Sequence, residues 1–436
     1  MLRLVTAVFA ALFATSLHAE LDIKEVTSDR GITAWIVEEP AIPFVALELR
    51  FAGGAALDLP DKRGATYLMA GLLEEGSGEM DAQTFQTARE DLAASFSFRA
   101  SDDVLSISAR FLTENKTEAL ALLRQAIMEP RFDQDAIDRV RAQVLAGIAS
   151  AAKSPNRIAS STFDAAAFGD HPYGSAITGT EDSVNALTRD DLLTAHRNAL
   201  RLDNLYVSVV GDTTVEDIGP LLDALLGDLP ASGPAQPQYI DYTLEGGITV
   251  VDYATPQSVA IFGQRGMKRD DDDFFAAYIL NHVLGAGGFE SRLMQEVREK
   301  RGLTYGISTF LVPKAHAELM IGSVASSNDT IAEAIAVTRA EWQRMAEEGL
   351  TQEELDKAKT YLTGEYPLRF DGNAEIAKIM VGMQYVGLDR DYVVNRNDFI
   401  NAVTLEHVNR VARELLEPDN LHFVVVGQPV GIEEQN

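Results

Sequence analysis

Two stretches of this sequence repeat one another, and the repeat restricts the possible folds more than any other feature. Residues 187–212, LTRDDLLTAHRNALRLDNLYVSVVGD, resemble residues 403–428, VTLEHVNRVARELLEPDNLHFVVVGQ, with DNL and VVG aligned at the same offset of 216 residues. The apolar helix predicted at Thr66–Leu73 has a counterpart at Tyr278–Gly285. Several matches in one order indicate an internal duplication. We therefore expect two similar units rather than one large core.

The duplication divides the 436 residues into segments of domain size. The first half covers residues 20–228 and the second covers residues 239–436, and each is long enough to form a domain of its own. Residues 229–238, LPASGPAQPQ, are rich in Pro, Ser and Gly, which is typical of a linker. The sequence predicts two homologous domains joined by this linker.

The hydrophobic patterns within the first half indicate a mixed α and β fold. Residues Val45–Phe51 and Val104–Phe111 alternate between apolar and polar side chains, as half-buried strands do. Residues Asp81–Ser95 and Glu114–Met128 instead place apolar side chains at helical spacing. Strands that follow one another without a helix between them favour hairpins. We predict an α+β fold in which each domain is a mostly antiparallel sheet with helices packed on one face.

The N-terminus and the composition restrict where the chain works and what it binds. Residues 1–19 have Arg3, an apolar run at Leu4–Phe13 and a small residue at Ala19, the pattern of a signal peptide that directs a protein to the periplasm or the outside. No later segment has the uninterrupted apolar length of a transmembrane helix. The formal net charge of -29 argues against nucleic acid as a ligand. The absence of cysteine excludes disulfides and thiolate metal sites.

Several blocks of the sequence resemble a known family. They are LGAGGFESRLMQEVREKRGLTYGIS at residues 284–308, FGDHPYGSAITGTEDSVNALTRDDL at residues 168–192, and the two VVG strands. Together they resemble the pitrilysin/insulinase family of zinc peptidases, the inverzincins, over nearly all of the chain after the signal peptide. The resemblance implies that the two domains face one another across a substrate chamber.

The zinc motif of that family is absent from this chain. Family members carry H-x-x-E-H on a helix, which places two imidazoles on one face to bind zinc and a Glu beside them to activate water. Aligned on the preceding glycine, the two ligand positions correspond to Tyr67 and Gly71, and the base position corresponds to Ala70. The third ligand position, a Glu in the family, falls near Gly147. None of these residues replaces the expected ligand, so we predict no metal in this chain.

The histidines do not provide a substitute zinc site. No two of them after the signal peptide lie within five residues of each other, so no short ligand pair exists. His282 lies in the counterpart of the zinc-motif helix, where we interpret it as a structural residue. His171, in the turn sequence HPYG, is interpreted as a residue that orders its loop. Phosphate-binding and nucleophile-elbow motifs are also missing.

The sharpest candidate site lies in the block Leu280–Phe310. Arg298 and Tyr305 are seven residues apart, the first near the end of a predicted helix and the second just past a Gly-Leu turn, where a strand is predicted to begin. Arg offers a fork of donors for a peptide carbonyl or carboxylate, and a Tyr hydroxyl can stabilise an oxyanion. By itself Arg298 resembles an ordinary solvated arginine among other charges. The resemblance implies a substrate-binding role, because family members carry an Arg and a Tyr at this spacing in the second domain.

The resemblance also implies a division of labour. In two-chain members of the family, one subunit holds the zinc motif and the other lacks it but contributes the Arg/Tyr pair. We therefore predict a non-catalytic, substrate-binding subunit of an exported heterodimeric zinc endopeptidase, inactive alone, with zinc on a homologous partner subunit and peptides as substrate. One alternative is a catalytically inert scaffold or peptide-binding protein of the same fold. Another is an autonomous metallopeptidase, which would require zinc in the isolated chain.

Overall fold

A computed structural model describes residues 21–432, and the predicted signal peptide at residues 1–19 lies outside the described residues. The strands of the described chain form two large sheets, one from each half of the sequence, and a small hairpin. Each large sheet is mixed but mostly antiparallel, as predicted. In this part of the chain, no helix combines the length and the apolar character needed to cross a membrane.

The first half contains both the six-stranded sheet and the small hairpin. Its strands are β1 (Lys24–Thr27), β2 (Thr33–Glu38), β3 (Phe44–Ala52), β4 (Gly76–Ser77), β5 (Met80–Asp81), β6 (Ser95–Ala100), β7 (Val104–Leu112) and β8 (Leu205–Gly211). Its helices are α1 (Ala65–Leu72), α2 (Ala82–Asp91), α3 (Lys116–Met128), α4 (Gln134–Ala151), α5 (Pro155–Phe168), α6 (Glu181–Ala186), α7 (Arg189–Ala199) and α8 (Val215–Leu226).

The second half forms the five-stranded sheet. Its strands are β9 (Gly247–Asp252), β10 (Gln257–Arg265), β11 (Ile307–Lys314), β12 (Ala317–Ser327) and β13 (His422–Gly427). Its helices are α9 (Phe274–Asn281), α10 (Ile331–Glu348), α11 (Gln352–Glu365), α12 (Asn373–Tyr385), α13 (Tyr392–Ala402) and α14 (Leu405–Leu415).

The two sheets have the same strand order, which is the structural form of the sequence duplication. The first runs β1-β2-β8-β3-β7-β6 and the second, read from its opposite edge, runs β9-β13-β10-β12-β11. Each sheet contains one parallel pair, which includes the strand with the VVG sequence. In the first sheet β8 pairs with β2, next to the edge, and in the second sheet β13 pairs with the edge strand β9. The first sheet differs by the additional edge strand β1.

Both faces of each sheet are covered, and the second face is covered by a helix from the other half. Along β3, Val45 and Leu47 face the core formed by the helices of the first half, whereas Ala46 packs against residues of α12. Along β10, Phe262 faces the core of the second half, whereas Ile261 packs against α5. Side chains alternate between faces along a strand, so each core takes every second residue. Helix α12 of the second half therefore covers one face of the first sheet, and helix α5 of the first half covers one face of the second sheet. We call this arrangement the exchange of α5 and α12.

Two predicted boundaries are wrong. The helix predicted at Asp81–Ser95 ends at Asp91, and Ser95 begins strand β6. Ala93 has φ of 49°, a left-handed conformation that interrupts a helix, and Phe96 then packs as a strand residue. The second error concerns Tyr305, which was expected to enter a strand. Strand β11 begins only at Ile307, so Tyr305 lies in the preceding loop.

Candidate functional site

Helix α1, which carries the altered zinc-motif positions, begins at a well-defined cap. Gly64 precedes it with φ of 99°, a conformation that favours glycine. The carboxylate of Asp58 accepts hydrogen bonds from the backbone N–H groups of Gly64 and Thr66, each at 3.0 Å. Burial raises the pKa of this carboxyl group, and the hydrogen bonds from Thr66 oppose that rise. The first turn of α1 is thereby held in one orientation.

The four predicted positions of the lost metal site converge on one pocket. Tyr67, Ala70 and Gly71 on α1 and Gly147 on α4 all line a cavity of about 460 Å³. The tyrosine is 36% exposed. The alignment with the family motif therefore selected residues that are neighbours in space although 76 positions separate Gly71 from Gly147.

The remaining pocket lining does not suit zinc. It includes Phe98 and Arg99 from β6 and Gln143 from α4, and none of the lining residues is His, Cys, Asp or Glu. Zinc in proteins is bound by imidazole, thiolate or carboxylate groups, and an arginine in the wall repels a cation. Across residues 21–432 as a whole, no group of three such side chains is placed to hold a metal ion. The pocket has space for a ligand but no donor set for zinc.

Arg298 lies in an unusual segment of helix. Two wide helical turns with π geometry, His282–Ala286 and Met294–Glu299, interrupt this part of the chain, and such turns occur frequently at functional sites. The guanidinium group of Arg298 lies 4.5 Å from the ring centre of Phe289 and its Nη1 lies 3.1 Å from the Glu299 carboxylate. That contact lacks hydrogen-bond geometry, and Nη1 is buried without a hydrogen-bond partner among the described residues. Because this nitrogen is buried, a ligand arriving from outside could contact Arg298 only through its other N–H groups.

Tyr305 is presented to solvent by an ordered loop. Its side chain is 87% exposed. The adjacent Thr304 fixes the loop, because its hydroxyl donates to the backbone carbonyl of Ala325 at 2.7 Å and accepts from the N–H of Gly306 at 3.0 Å. An exposed aromatic side chain on a fixed backbone is suited to contact a molecule that arrives from outside.

The sequence reasoning missed Phe289. This residue is 60% exposed in the glycine loop between the two wide turns, and it packs against the guanidinium group of Arg298. Together with Tyr305 it places two exposed aromatic rings in the block that also carries Arg298. An apolar residue at the tip of the sequence AGGFES could have indicated this exposed surface.

The structure does not place Arg298 and Tyr305 in the lining of the α1 pocket. All residues that line that pocket come from the first half of the chain. The Arg/Tyr pair lies in the second half, on the segment between α9 and β11. The chain therefore contains two separate candidate regions. One is a pocket without metal ligands, and the other carries Arg298 and the exposed side chains of Phe289 and Tyr305.

The histidines have structural environments. His171 accepts a hydrogen bond from the N–H of Tyr173 at 3.2 Å and orders its turn, as predicted. His282 stacks on Tyr361 with ring centres 5.1 Å apart, and burial lowers its pKa. His407 lies 2.7 Å from the carboxylate of Asp273 in the acidic segment before α9.

Taken together, the fold and the pocket define a duplicated α/β protein with the architecture of a zinc peptidase and no metal ligands at the metal positions. The chain belongs to the M16, or insulinase, peptidase family. The family model described as Insulinase (Peptidase family M16) matches residues 34–181, and the model described as Peptidase M16 inactive domain matches residues 186–362. The resemblance to the pitrilysin/insulinase family is thereby confirmed.

Similar proteins and structures cover nearly the whole chain. A Helicobacter pylori protein named non-peptidase homolog YmxG is 27% identical, and the match covers 98% of both chains. A Bacillus subtilis protein named uncharacterized zinc protease YmxG is 23% identical over 91% of this chain and 96% of its own. A crystal structure from Pseudomonas fluorescens, described as a peptidase M16 inactive domain, has a TM-score of 0.88 and 27% identity, covering 95% of this chain and all of that one.

Proposed function

We propose that this protein is the non-catalytic, substrate-binding subunit of an exported heterodimeric zinc endopeptidase. The observation that carries the proposal is the contrast between the two candidate regions. The pocket with Tyr67, Ala70, Gly71 and Gly147 offers no metal ligands, whereas Tyr305 is 87% exposed on a fixed loop in the segment that carries Arg298. The name of the Helicobacter relative, non-peptidase homolog, is consistent with a chain that is inactive alone.

In this proposal, Arg298 and Tyr305 bind the backbone of a peptide in an active site that the homologous partner subunit completes. The hydroxyl of Tyr305 donates a hydrogen bond to the oxygen of the peptide carbonyl, where negative charge develops during hydrolysis. Arg298 holds a neighbouring carbonyl or carboxylate with a free donor of its guanidinium group. Phe289 keeps that group in place by stacking. Zinc belongs to the partner subunit.

The test is reconstitution with a partner. We expect this chain, mixed with a homologous chain that contains H-x-x-E-H, to produce peptidase activity that neither has alone. In that mixture Arg298→Ala or Tyr305→Phe should lower turnover by ~10-fold or more, up to the ~10²–10³-fold that loss of an oxyanion donor costs. Turnover of a fluorogenic peptide measures both effects.

Matched variants control for general damage to the fold. Lys300→Ala removes an exposed positive charge two residues from Arg298, and Tyr361→Phe removes a hydroxyl from another exposed tyrosine. Both should leave turnover unchanged. If the Arg298 and Tyr305 variants behave like these controls, the pair has no role in substrate binding.

The alternative of an inert scaffold or peptide-binding protein is favoured by one observation. Arg298 already contacts Glu299 and Phe289 within this chain, which is how a purely structural arginine would be placed. A scaffold would form the complex with its partner, yet the activity of the partner would not depend on Arg298 or Tyr305. The same variants therefore separate the two functions.

Export is part of the proposal and has its own test. The N-terminal pattern predicts removal of residues 1–19. Mass spectrometry of protein recovered from the periplasm or the medium should find an N-terminus at Glu20 or within a few residues of it. Intact chain that begins at Met1 and stays inside the cell would contradict export.

A further inference from the structure

A second pocket, formed by the second half of the chain, has a lining that the proposed function does not use. It has a volume of about 290 Å³ and lies among the start of α9, the turn that follows α11, and helices α12 and α13. Three arginines line it, Arg269, Arg369 and Arg396, together with aromatic side chains, and its lining contains no acidic residue. In a chain with a formal net charge of -29, such a concentration of positive charge is unexpected.

Two of the three arginines have only uncharged polar partners in the described part of the chain. Arg396 is 3% exposed and donates from Nη1 to the backbone carbonyl of Leu362 at 2.6 Å and to the side chain of Asn397 at 3.2 Å. Arg269 donates from Nη2 to the hydroxyl of Tyr392 at 2.9 Å. Burial of a charge without a counter-charge is unfavourable, so a buried guanidinium group of this kind favours an anion beside it.

The third arginine differs from the other two because it has an acidic partner. Arg369 forms an ion pair with Glu365, four residues earlier, at 2.5 Å. One positive charge is thereby neutralised, and the charges of Arg269 and Arg396 remain. A monovalent or divalent anion would balance them.

Aromatic rings fix the two unpaired guanidinium groups. The guanidinium carbon of Arg396 lies 4.6 Å from the ring centre of Tyr366, and that of Arg269 lies 4.3 Å from the ring centre of Phe274. A stacked guanidinium group keeps its in-plane N–H donors for other acceptors. The hydrogen bonds of Arg396 to Leu362 and Asn397 both come from Nη1, so a ligand would be bound through the other N–H groups, on the side of Tyr392. Burial raises the pKa of Tyr366 to about 12, so this ring stays neutral and adds no negative charge.

We propose that this pocket binds an apolar carboxylate, with Arg269 and Arg396 on the carboxylate group and the aromatic walls around the apolar body. Arginine binds carboxylates through paired N–H groups, and the combination of apolar walls with a few polar groups is typical of small-molecule sites. The carboxylate belongs either to the C-terminal residue of a peptide or to a free organic acid. The proposal rests on the pocket lining and does not depend on the proposed peptidase role.

The experiment is a calorimetric titration of the purified chain at low ionic strength. The probe is N-acetyl-L-phenylalanine, and N-acetyl-L-phenylalanine amide is the same molecule without the charge. We expect the acid to bind at least ~10-fold more tightly than the amide, the scale of a charge-assisted hydrogen bond. Equal affinities, or no binding of the acid up to about 10 mM, would overturn the proposal.

A pair of variants locates the binding. Arg269→Gln removes one pocket charge from a partly buried side chain and should weaken binding of the acid by ~10-fold. Lys268→Gln is the matched control, because it removes the same charge from the adjacent residue, which does not line this pocket. Equal losses in the two variants would show a general electrostatic effect and contradict the site.

Two further probes distinguish the sources of the carboxylate. A pentapeptide that ends in phenylalanine should bind as tightly as the acetylated amino acid if the pocket takes peptide C-termini. Benzoate should bind and the pentapeptide should not if the pocket takes small organic acids. Binding of neither would contradict the assignment.

Discussion

At the scale of single residues, the pocket beside α1 differs in the space it leaves for a side chain at the positions that correspond to the zinc ligands. A Cβ atom added at Gly147 would meet open space, whereas one at Gly71 would lie 3.2 Å from Cγ1 of Val140. We predict that the combined variant Tyr67→His, Ala70→Glu, Gly71→His and Gly147→Glu binds about one zinc ion per chain, because it restores two imidazoles and a carboxylate around one cavity. Metal analysis after dialysis measures the stoichiometry.

The control for this variant has a side chain of the same shape at position 147 but lacks the carboxylate ligand. The same combination with Gly147→Gln should bind zinc much more weakly, since a neutral amide replaces the carboxylate. Zinc at the same level in both variants, or in neither while both are folded, would contradict the assignment of Gly147 as the third ligand position.

Asp164 on α5 is a second residue whose environment gives a testable result. Burial raises the pKa of this carboxyl group to about 6, although Lys314 opposes the rise. Because the folded state then binds the proton more tightly than the unfolded state, the free energy of unfolding falls as the pH rises from about 4 to about 6. Asp164→Asn should therefore stabilise the protein above pH 6, by roughly 1–2 kcal/mol for a half-buried group.

Urea unfolding at several pH values measures this difference. The stabilisation by Asp164→Asn should be complete above about pH 7 and should vanish below about pH 3, where the wild-type carboxyl group is protonated in both states. Asp170→Asn, at an exposed position just past the end of the same helix, is the control and should change little. A constant difference at all pH values would show that ionisation of Asp164 is not its cause.

At the scale of elements, the exchange of α5 and α12 joins the two halves. Phe163 on α5 is fully buried against the sheet of the second half, beside Ile261 and Val424. Phe163→Ala should lower the free energy of unfolding by ~3–5 kcal/mol, as removal of a buried aromatic ring does. It should also weaken hydrogen-exchange protection in β10 and β13, although the substituted residue belongs to the first half.

Phe85→Ala on α2 is the matched control. Phe85 is equally buried but belongs to the core of the first half. Its loss should have a similar energetic cost and leave the protection of β10 and β13 close to that of the wild type. If both variants affect these strands equally, α5 does not connect the halves more than any other helix.

These elements also show how far the sequence predicts the structure. The alternation at Val45–Phe51 identified strand β3, and the repeat predicted two similar units, whose sheets prove to share one strand order. Helical periodicity indicates which face of α5 is apolar but not which sheet covers that face, so the exchange of helices could not be predicted. The pocket with Arg269 and Arg396 could not be predicted either, because the two residues are 127 positions apart and nothing in the sequence distinguishes them from arginines on the surface. Only the fold brings them into one pocket.

At the scale of the whole molecule, contacts between the halves are polar as well as apolar. Lys314, at the end of β11, lies 2.8 Å from the carboxylate of Asp102, which follows β6. Tyr173 donates a hydrogen bond to the neighbouring Asp103, and its hydroxyl accepts one from the N–H of His316 at 3.1 Å. The hairpin turn between β11 and β12 is thereby attached to the turn between β6 and β7. These contacts hold the halves together, and the described residues include no metal-binding cluster that could do so.

Removal of metal therefore has different expected effects on the isolated chain and on the proposed heterodimer. A metal that binds only the folded state raises the melting temperature, and chelation reverses that gain. Since residues 21–432 contain no cluster of three metal-binding side chains, 1,10-phenanthroline should leave the melting temperature of the isolated chain within about 1 °C of its starting value. The same treatment should abolish peptidase activity of the mixture with an H-x-x-E-H partner, and added zinc should restore it. A large zinc-dependent shift in the isolated chain would instead favour an autonomous metallopeptidase.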